Sequence, residues 1–200
     1  RLPYGTKSAG SIRQYSLQAA RKLHERGVKC LVVACNTASA IALDALTQEF
    51  APVPVVGVLE PGAAAACRAT KRGRIAVLAT ESTVRGGAYQ AAILRRLPDA
   101  VVTARACPLF VALAEEGWLD GPVVDGAIHR YLDGVFVEGE PARHPDTLLL
   151  GCASMLPSAP HAVEPVMAVR NGGVDAEGMY RIGRYYQGQG RHDEASKAFR

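Results

Sequence analysis

The sequence predicts an α/β protein built on parallel sheet, and three observations carry that prediction. Short apolar runs alternate with helix-length segments from residue 28 to residue 150. Two of the runs, Leu31-Val32-Val33-Ala34 and Leu148-Leu149-Leu150, are too short for helices and lack a polar face, as expected of strands buried on both sides. Both lead into a cysteine, Cys35 and Cys152. In open α/β sheets chemistry gathers where strands end and helices begin, because backbone N–H groups are unpaired there and the loops line a crevice. Two thiols at two such ends suggest a site with a thiol on either side of a substrate.

Residues 1–8 are polar and turn-like. Gly5 lets the backbone approach a ligand and Tyr4 offers a hydroxyl, although Pro3-Tyr4-Gly5 is equally an ordinary turn. Residues 11–26 place Ile12, Tyr15, Ala19 and Leu23 at helical spacing and stop at Gly27. A strand over 28–34 follows. Asn36-Thr37-Ala38-Ser39 opens a helix to residue 50, with Thr37 and Ser39 as capping residues. Cys35 then lies at a helix N-terminus, where the partial positive charge favours the thiolate; a thiol that merely packs is the alternative.

Residues 53–59 read as a second strand closed by Glu60-Pro61-Gly62, with an alanine-rich helix to residue 70. Residues 74–79 are a third strand, running into a polar turn at 80–85 that caps a helix through Tyr89 and Leu94. Residues 101–106 are a fourth strand ending at Cys107-Pro108, and the helix beyond it carries Glu115 and Glu116 before stopping at Gly117. A carboxylate placed just past a strand end can act as acid or base for a neighbouring site, whereas most helix carboxylates are surface charge. Residues 125–132 form another helix and 146–150 the fifth strand. Beyond Pro157 the texture changes. Pro160, Pro165 and Asn171-Gly172-Gly173 read as an irregular connector, and residues 175–200 as a helical hairpin resembling one tetratricopeptide or Sel1-like repeat. A single such unit cannot bury its own apolar face.

Two hundred residues at 48% hydrophobic content suffice for a substantial core. The net charge of +4 is scattered, with only small groups such as Lys71-Arg72-Gly73-Arg74, which argues against a nucleic-acid partner. No apolar run is long enough to cross a bilayer and no signal-peptide pattern opens the chain, so a soluble, cytoplasmic protein is expected. Five cysteines, an odd number, argue for thiols, and Cys30, Cys67 and Cys107 are most simply buried small side chains. The absence of Cys-x-x-Cys and His-x-x-x-His spacing argues against a metal, and the absence of a glycine-rich phosphate loop leaves no cofactor indicated. The chain opens at Arg1 without methionine and closes at Arg200 inside a helical pattern, which reads as a fragment.

The segments Leu2-Pro-Tyr-Gly-Thr-Lys-Ser8, Val33-Ala-Cys-Asn-Thr-Ala-Ser39, Pro54-Val-Val-Gly-Val-Leu-Glu-Pro-Gly62, Ala79-Thr-Glu-Ser-Thr-Val-Arg85, Ala106-Cys-Pro-Leu-Phe110 with Glu115-Glu-Gly-Trp118, and Asp146-Thr-Leu-Leu-Leu-Gly-Cys152 stand in an order and at spacings that resemble glutamate racemase, of the aspartate/glutamate racemase superfamily. The resemblance covers residues 1–152. It implies two pseudo-symmetric α/β domains, divided here at 1–60 and 61–156, ahead of the connector at 157–174 and the repeat-like segment at 175–200. It also implies cofactor-independent interconversion of L- and D-glutamate in the interdomain cleft, supplying D-glutamate to the bacterial cell wall. Cys35 and Cys152 would be the two bases, with Glu115 as an assisting carboxylate. Tyr4, Gly5, Asn36 and Thr37 match substrate-contacting positions. The family follows its second cysteine with Thr-His where this chain has Ala153-Ser154, so Ser154 is a weak replacement for a substrate contact, and the family's opening strand with its Asp-Ser pair would lie upstream of Arg1. Three alternatives stay open: a racemase for aspartate or another amino acid, a degenerate body that recruits a protein partner through the repeat, and a homodimer.

Overall fold

The computed structural model describes residues 3–136, 141–152, 166–170 and 173–174. Helix α1 (Ala9–His24) starts at Ser8, whose side chain accepts from the Ser11 N–H, and turns Ile12, Ser16 and Ala20 inward. Strand β1 (Leu31–Val33), helix α2 (Asn36–Glu49) and strand β2 (Val55–Gly57) follow, with β1 and β2 paired in parallel, Leu31 opposite Val55. Ala20, Leu31, Ala42, Leu46 and Phe50 form the core of this part.

The sequence places β1 as a strand buried on both faces, and the structure corrects that. Leu31 is buried, but Val32 is 67% exposed and its register partner Val56 48% exposed, so one face of this pair is uncovered by the described residues. Cys30, expected to be buried, is exposed directly ahead of β1.

The second sheet is larger. Helix α3 (Leu59–Ala69) leads to β3 (Arg74–Ala79), the short α4 (Glu81–Arg85), α5 (Ala88–Arg96), β4 (Val101–Ala106), α6 (Pro108–Glu115), α7 (Pro122–Leu132) and β5 (Thr147–Gly151). The remaining strands are β6 (Val166–Arg170) and β7 (Gly173–Val174), and the sheet order is β4-β3-β5-β6-β7. Strands β4, β3 and β5 are parallel; β6 runs antiparallel to β5. Residues 166–170, which the sequence assigns to an irregular connector, are therefore a strand. The run Val166-Met167-Ala168-Val169 has strand character of its own, which the surrounding prolines and glycines mask. The expected hairpin over 175–200 lies outside the described residues.

Strand β3 lies between β4 and β5 and shows the period of two. Ile75, Val77 and Ala79 face α3 and α5 with Tyr89, Ile93 and Leu149, while Ala76 and Leu78 face α7 with Tyr131, Leu132, Leu148 and Leu150. Each large aliphatic side chain buried here contributes about 1.5–3 kcal/mol. The register sets Ala79 beside Ala106 on one side and Gly151 on the other, so Thr80, Cys107 and Cys152 leave the sheet along one edge.

At the opposite edge the buried Asp146 closes the start of β5 onto the loop before β3. Its carboxylate accepts from Thr70 Oγ1 at 2.6 Å and from the N–H groups of Lys71 and Arg72 at 2.9 and 2.6 Å. Burial pushes this carboxyl up, but the Thr70 and backbone donors together outweigh it and hold it below the usual carboxylate range. Asp146→Ala leaves those donors without their acceptor and is expected to cost about 2–4 kcal/mol in urea unfolding. Because the folded state lowers the pKa of this carboxyl, the contribution is full above about pH 4 and is lost as pH falls through the lower native value. A denaturation series from pH 7 to 2 should show a steeper acid loss in the parent than in the variant.

Candidate active site

The site begins where β1 and β3 stop. Cys35 is exposed and occupies the N-cap of α2 with extended backbone, and its side chain makes no capping bond. Thr37 and Ser39, the expected caps, are employed otherwise. Ser39 Oγ donates to the Val33 carbonyl at 2.7 Å and accepts from the Val58 N–H at 3.2 Å, tying α2 to the end of β1 and to the residue that follows β2. Thr37 Oγ1 lies 2.9 Å from Thr80 Oγ1 and 3.2 Å from Thr83 Oγ1, which are 3.0 Å apart, so three buried hydroxyls close a triangle between α2 and α4.

The Pro3-Tyr4-Gly5 turn is held against the same end of α4. Ser82 donates to the Gly5 carbonyl from its backbone N–H at 3.1 Å and from its hydroxyl at 2.8 Å. A Cβ on Gly5 would stand 2.7 Å from Thr80 Cβ, so only glycine lets the turn come this close. Tyr4 is half-buried, its ring 6.3 Å from that of Tyr15.

Tyr89 joins the two thiol-bearing segments. It is fully buried on α5, and its hydroxyl donates to Asn36 Oδ1, on the residue next to Cys35. Its ring lies over two glycines: a Cβ on Gly62 would be 3.3 Å from the hydroxyl oxygen, and one on Gly151 3.0 Å from Cε2. Gly151 directly precedes Cys152, which is half-buried. Burial first, and then the charge of a Cys152 thiolate, push the Tyr89 phenol well above its ordinary value, so it stays protonated.

Of the residues singled out from sequence, Gly5, Thr37 and Asn36 thus each bond to the segment running from Thr80 to Tyr89: Gly5 to Ser82, Thr37 to Thr80 and Thr83, and Asn36 to Tyr89. Cys35 directly precedes Asn36, and Cys152 directly follows Gly151, which lies under the Tyr89 ring. Glu115 is exposed at the last position of α6 and is not bonded to any of these residues. Ser154 lies outside the described residues. Thr80, Thr83 and Tyr89, which these bonds bring beside the thiols, carry no such signal in the sequence, since the first two pass for helix caps and the third for a core aromatic. Two of the remaining thiols, Cys107 and Cys67, are set apart by burial. Cys107 is sealed and pushed up to about 12 by it, Arg105 lowering it only in part. Cys67 is likewise raised by burial, with Arg96 opposing. Among the described residues no group of His, Cys, Asp or Glu stands together to hold a metal ion, and no helix is long and apolar enough to cross a membrane.

The Asp/Glu/hydantoin racemase family model matches residues 3–173. The chain belongs to that family. Among its relatives, it is 52% identical over 152 residues to the glutamate racemase of Geobacter metallireducens, which covers 76% of this chain and 54% of the relative. The Aquifex aeolicus glutamate racemase is 47% identical over 76% of this chain and 56% of its own. The chain spans about half the length of the curated relatives it matches. Its fold is similar to the Francisella tularensis glutamate racemase solved with D-glutamate, at TM-score 0.71 and 33% identity, covering 78% of this chain and 56% of the other. The Escherichia coli glutamate racemase solved with L-glutamate and the activator UDP-MurNAc-Ala superposes at TM-score 0.62 with 33% identity, covering 78% and 57%. These structures bear out the α/β class with parallel sheet for this racemase-family chain.

The ring seat gives a direct test. Gly151→Ala would place a methyl group 2.9 Å from Ala79 Cβ and 3.0 Å from Tyr89 Cε2, and is expected to cost about 1–3 kcal/mol in urea unfolding. Gly126→Ala, in the interior of α7 with nothing within 4 Å, is expected to be neutral or to stabilise by about 0.5–1 kcal/mol.

Proposed function

We propose that this chain forms the cleft of a cofactor-independent glutamate racemase, in which Cys35 and Cys152 work on opposite faces of the substrate Cα. One observation carries the reading. The segments holding the two thiols reach the same tyrosine, Asn36 through the Tyr89 hydroxyl and Gly151 through the Tyr89 ring. Relatives named glutamate racemase, one of them solved with D-glutamate and another with L-glutamate, support glutamate as substrate.

The chemistry follows from these groups. A thiolate on one side removes the Cα proton and becomes a thiol; the electron pair left behind delocalises into the α-carboxylate. The thiol on the other side then delivers its own proton to the opposite face and becomes the thiolate. The product enantiomer has formed, and the two sulfurs have exchanged protonation states, so the reverse reaction starts from the other one. Charge growing on the carboxylate is met by fixed donors around the cleft. Tyr4, Gly5, Asn36, Thr37 and Ser154 hold the substrate's carboxylates and amine, and Glu115 assists proton transfer. The two sheets correspond to two lobes dividing near residue 60, and the enzyme would provide D-glutamate for peptidoglycan in the bacterial cytoplasm.

In D2O the protein is expected to exchange the α-proton of both L- and D-glutamate, followed by NMR. Cys35→Ala should cut exchange from one enantiomer at least about 100-fold while sparing the other, and Cys152→Ala should show the reverse preference. Equal loss from both enantiomers in either variant would contradict the assignment of one thiol to each face. No exchange from either enantiomer in the parent would favour a binding role for this racemase-family body.

A further inference from the structure

Tyr89 is a costly choice for its position. A fully buried hydroxyl needs a partner, and phenylalanine would fill the same space over Gly62 and Gly151 without that demand. The hydroxyl's partner is the side-chain carbonyl of Asn36. A primary amide is nearly symmetric in shape, and turning it over exchanges an acceptor for two donors. Left alone beside Cys35, the Asn36 amide would sample both orientations. With Oδ1 committed to the Tyr89 hydroxyl, what it has left for a ligand is the Nδ2 amino group, a donor suited to a carboxylate and not to an ammonium group.

We propose that Tyr89 is a positioning residue, whose hydroxyl locks Asn36 with its amino group toward the substrate beside Cys35 while its ring seats the Gly151-Cys152 strand end. The proposal deepens the racemase reading and rests on it for the identity of the ligand. Its second support is that the phenol keeps its proton: burial and the neighbouring Cys152 both act against tyrosinate, so the hydroxyl remains a donor to Asn36 whatever charge Cys152 carries. The proton cycle at one sulfur then leaves the amide beside the other undisturbed.

The test is a double-mutant cycle read on Cys35. Parent, Y89F, N36A and Y89F/N36A are alkylated with iodoacetamide across a pH series, with and without D-glutamate, and modification of each cysteine is quantified by mass spectrometry. Y89F keeps the ring, and thermal unfolding checks that it stays folded. It should raise the D-glutamate concentration that half-protects Cys35 by roughly three- to tenfold, the range set by one ordinary hydrogen bond. N36A should raise it at least as much, and the double variant no further than N36A, because both single changes break one contact. Unchanged half-protection in Y89F, or additive losses in the double variant, overturns the proposal. Failure of D-glutamate to protect Cys35 in the parent overturns the racemase reading instead. The positioning role is then decided by the ligand-free pH profile of Cys35 alkylation. Matching shifts in Y89F and N36A that do not add sustain it; no shift, or additive shifts, sink it. Should Y89F not fold, N36A breaks the same bond from the other side, and an unaltered Cys35 profile and protection in that variant overturn the proposal.

Discussion

The placement of the first thiol relative to the second depends on a polar seam. The described strands fall into two sheets that share no backbone ladder, so nothing in the sheet hydrogen bonding sets Cys35 against Cys152. What joins the carboxyl ends is a set of side-chain contacts: the Thr37, Thr80 and Thr83 triangle, the hold of Ser82 on Gly5, and the bond from Tyr89 to Asn36. A purely apolar contact would tolerate sliding, whereas hydrogen bonds are directional and fix one register. Each adds only about 0.5–1.5 kcal/mol net, yet a buried hydroxyl stripped of its partner costs about 1–3 kcal/mol. The seam is thus enforced by the penalty for breaking it.

That seam also explains which parts of the fold the sequence reveals. Strands β3 and β4 have the bounds expected from their apolar runs, because β3 is set off by Gly73 in the left-handed region and β4 runs into Cys107-Pro108. Strand β1 reads as doubly buried because three apolar residues in a row look alike whether one face is covered or two; only tertiary neighbours distinguish Leu31 from Val32. Thr37 and Ser39 have the residue types of helix caps, but their hydroxyls are drawn to partners 43 and 6 residues away, at Thr80 and Val33. For Thr37 local preference yields to a contact that no window of sequence contains, and for Ser39 to the end of the strand just before its own helix. The role of Tyr89 is invisible locally for the same reason, as its hydroxyl partner is 53 residues distant.

Position at a strand end does not by itself make a thiol reactive, and the chain contains its own control. Cys107 follows β4 at the N-cap of α6, as Cys35 follows β1 at the N-cap of α2. Cys107 is nevertheless sealed in the core with Phe110 and Tyr131 nearby, its Sγ directed to the Arg105 carbonyl at 3.5 Å, and burial holds it in the protonated form. Cys35 is exposed and Cys152 half-buried. The sequence rule selects three strand-end thiols; solvent access reduces them to the two proposed as bases.

Every side chain in the seam is neutral, and that suits the proposed reaction. A lysine or arginine fixed against the substrate carboxylate would bind the ground state and the transition state almost equally, which lowers KM without raising kcat. Hydroxyl and amide donors bind a resting carboxylate less strongly, but once aimed they respond as charge from the departing Cα proton flows into it, and they need no reorganisation at that moment. Aim is therefore the property such a site must secure. In this fold it is secured from behind, by a protonated phenol that cannot be disturbed by the charge on the neighbouring sulfur and by threonines that hold one another in place.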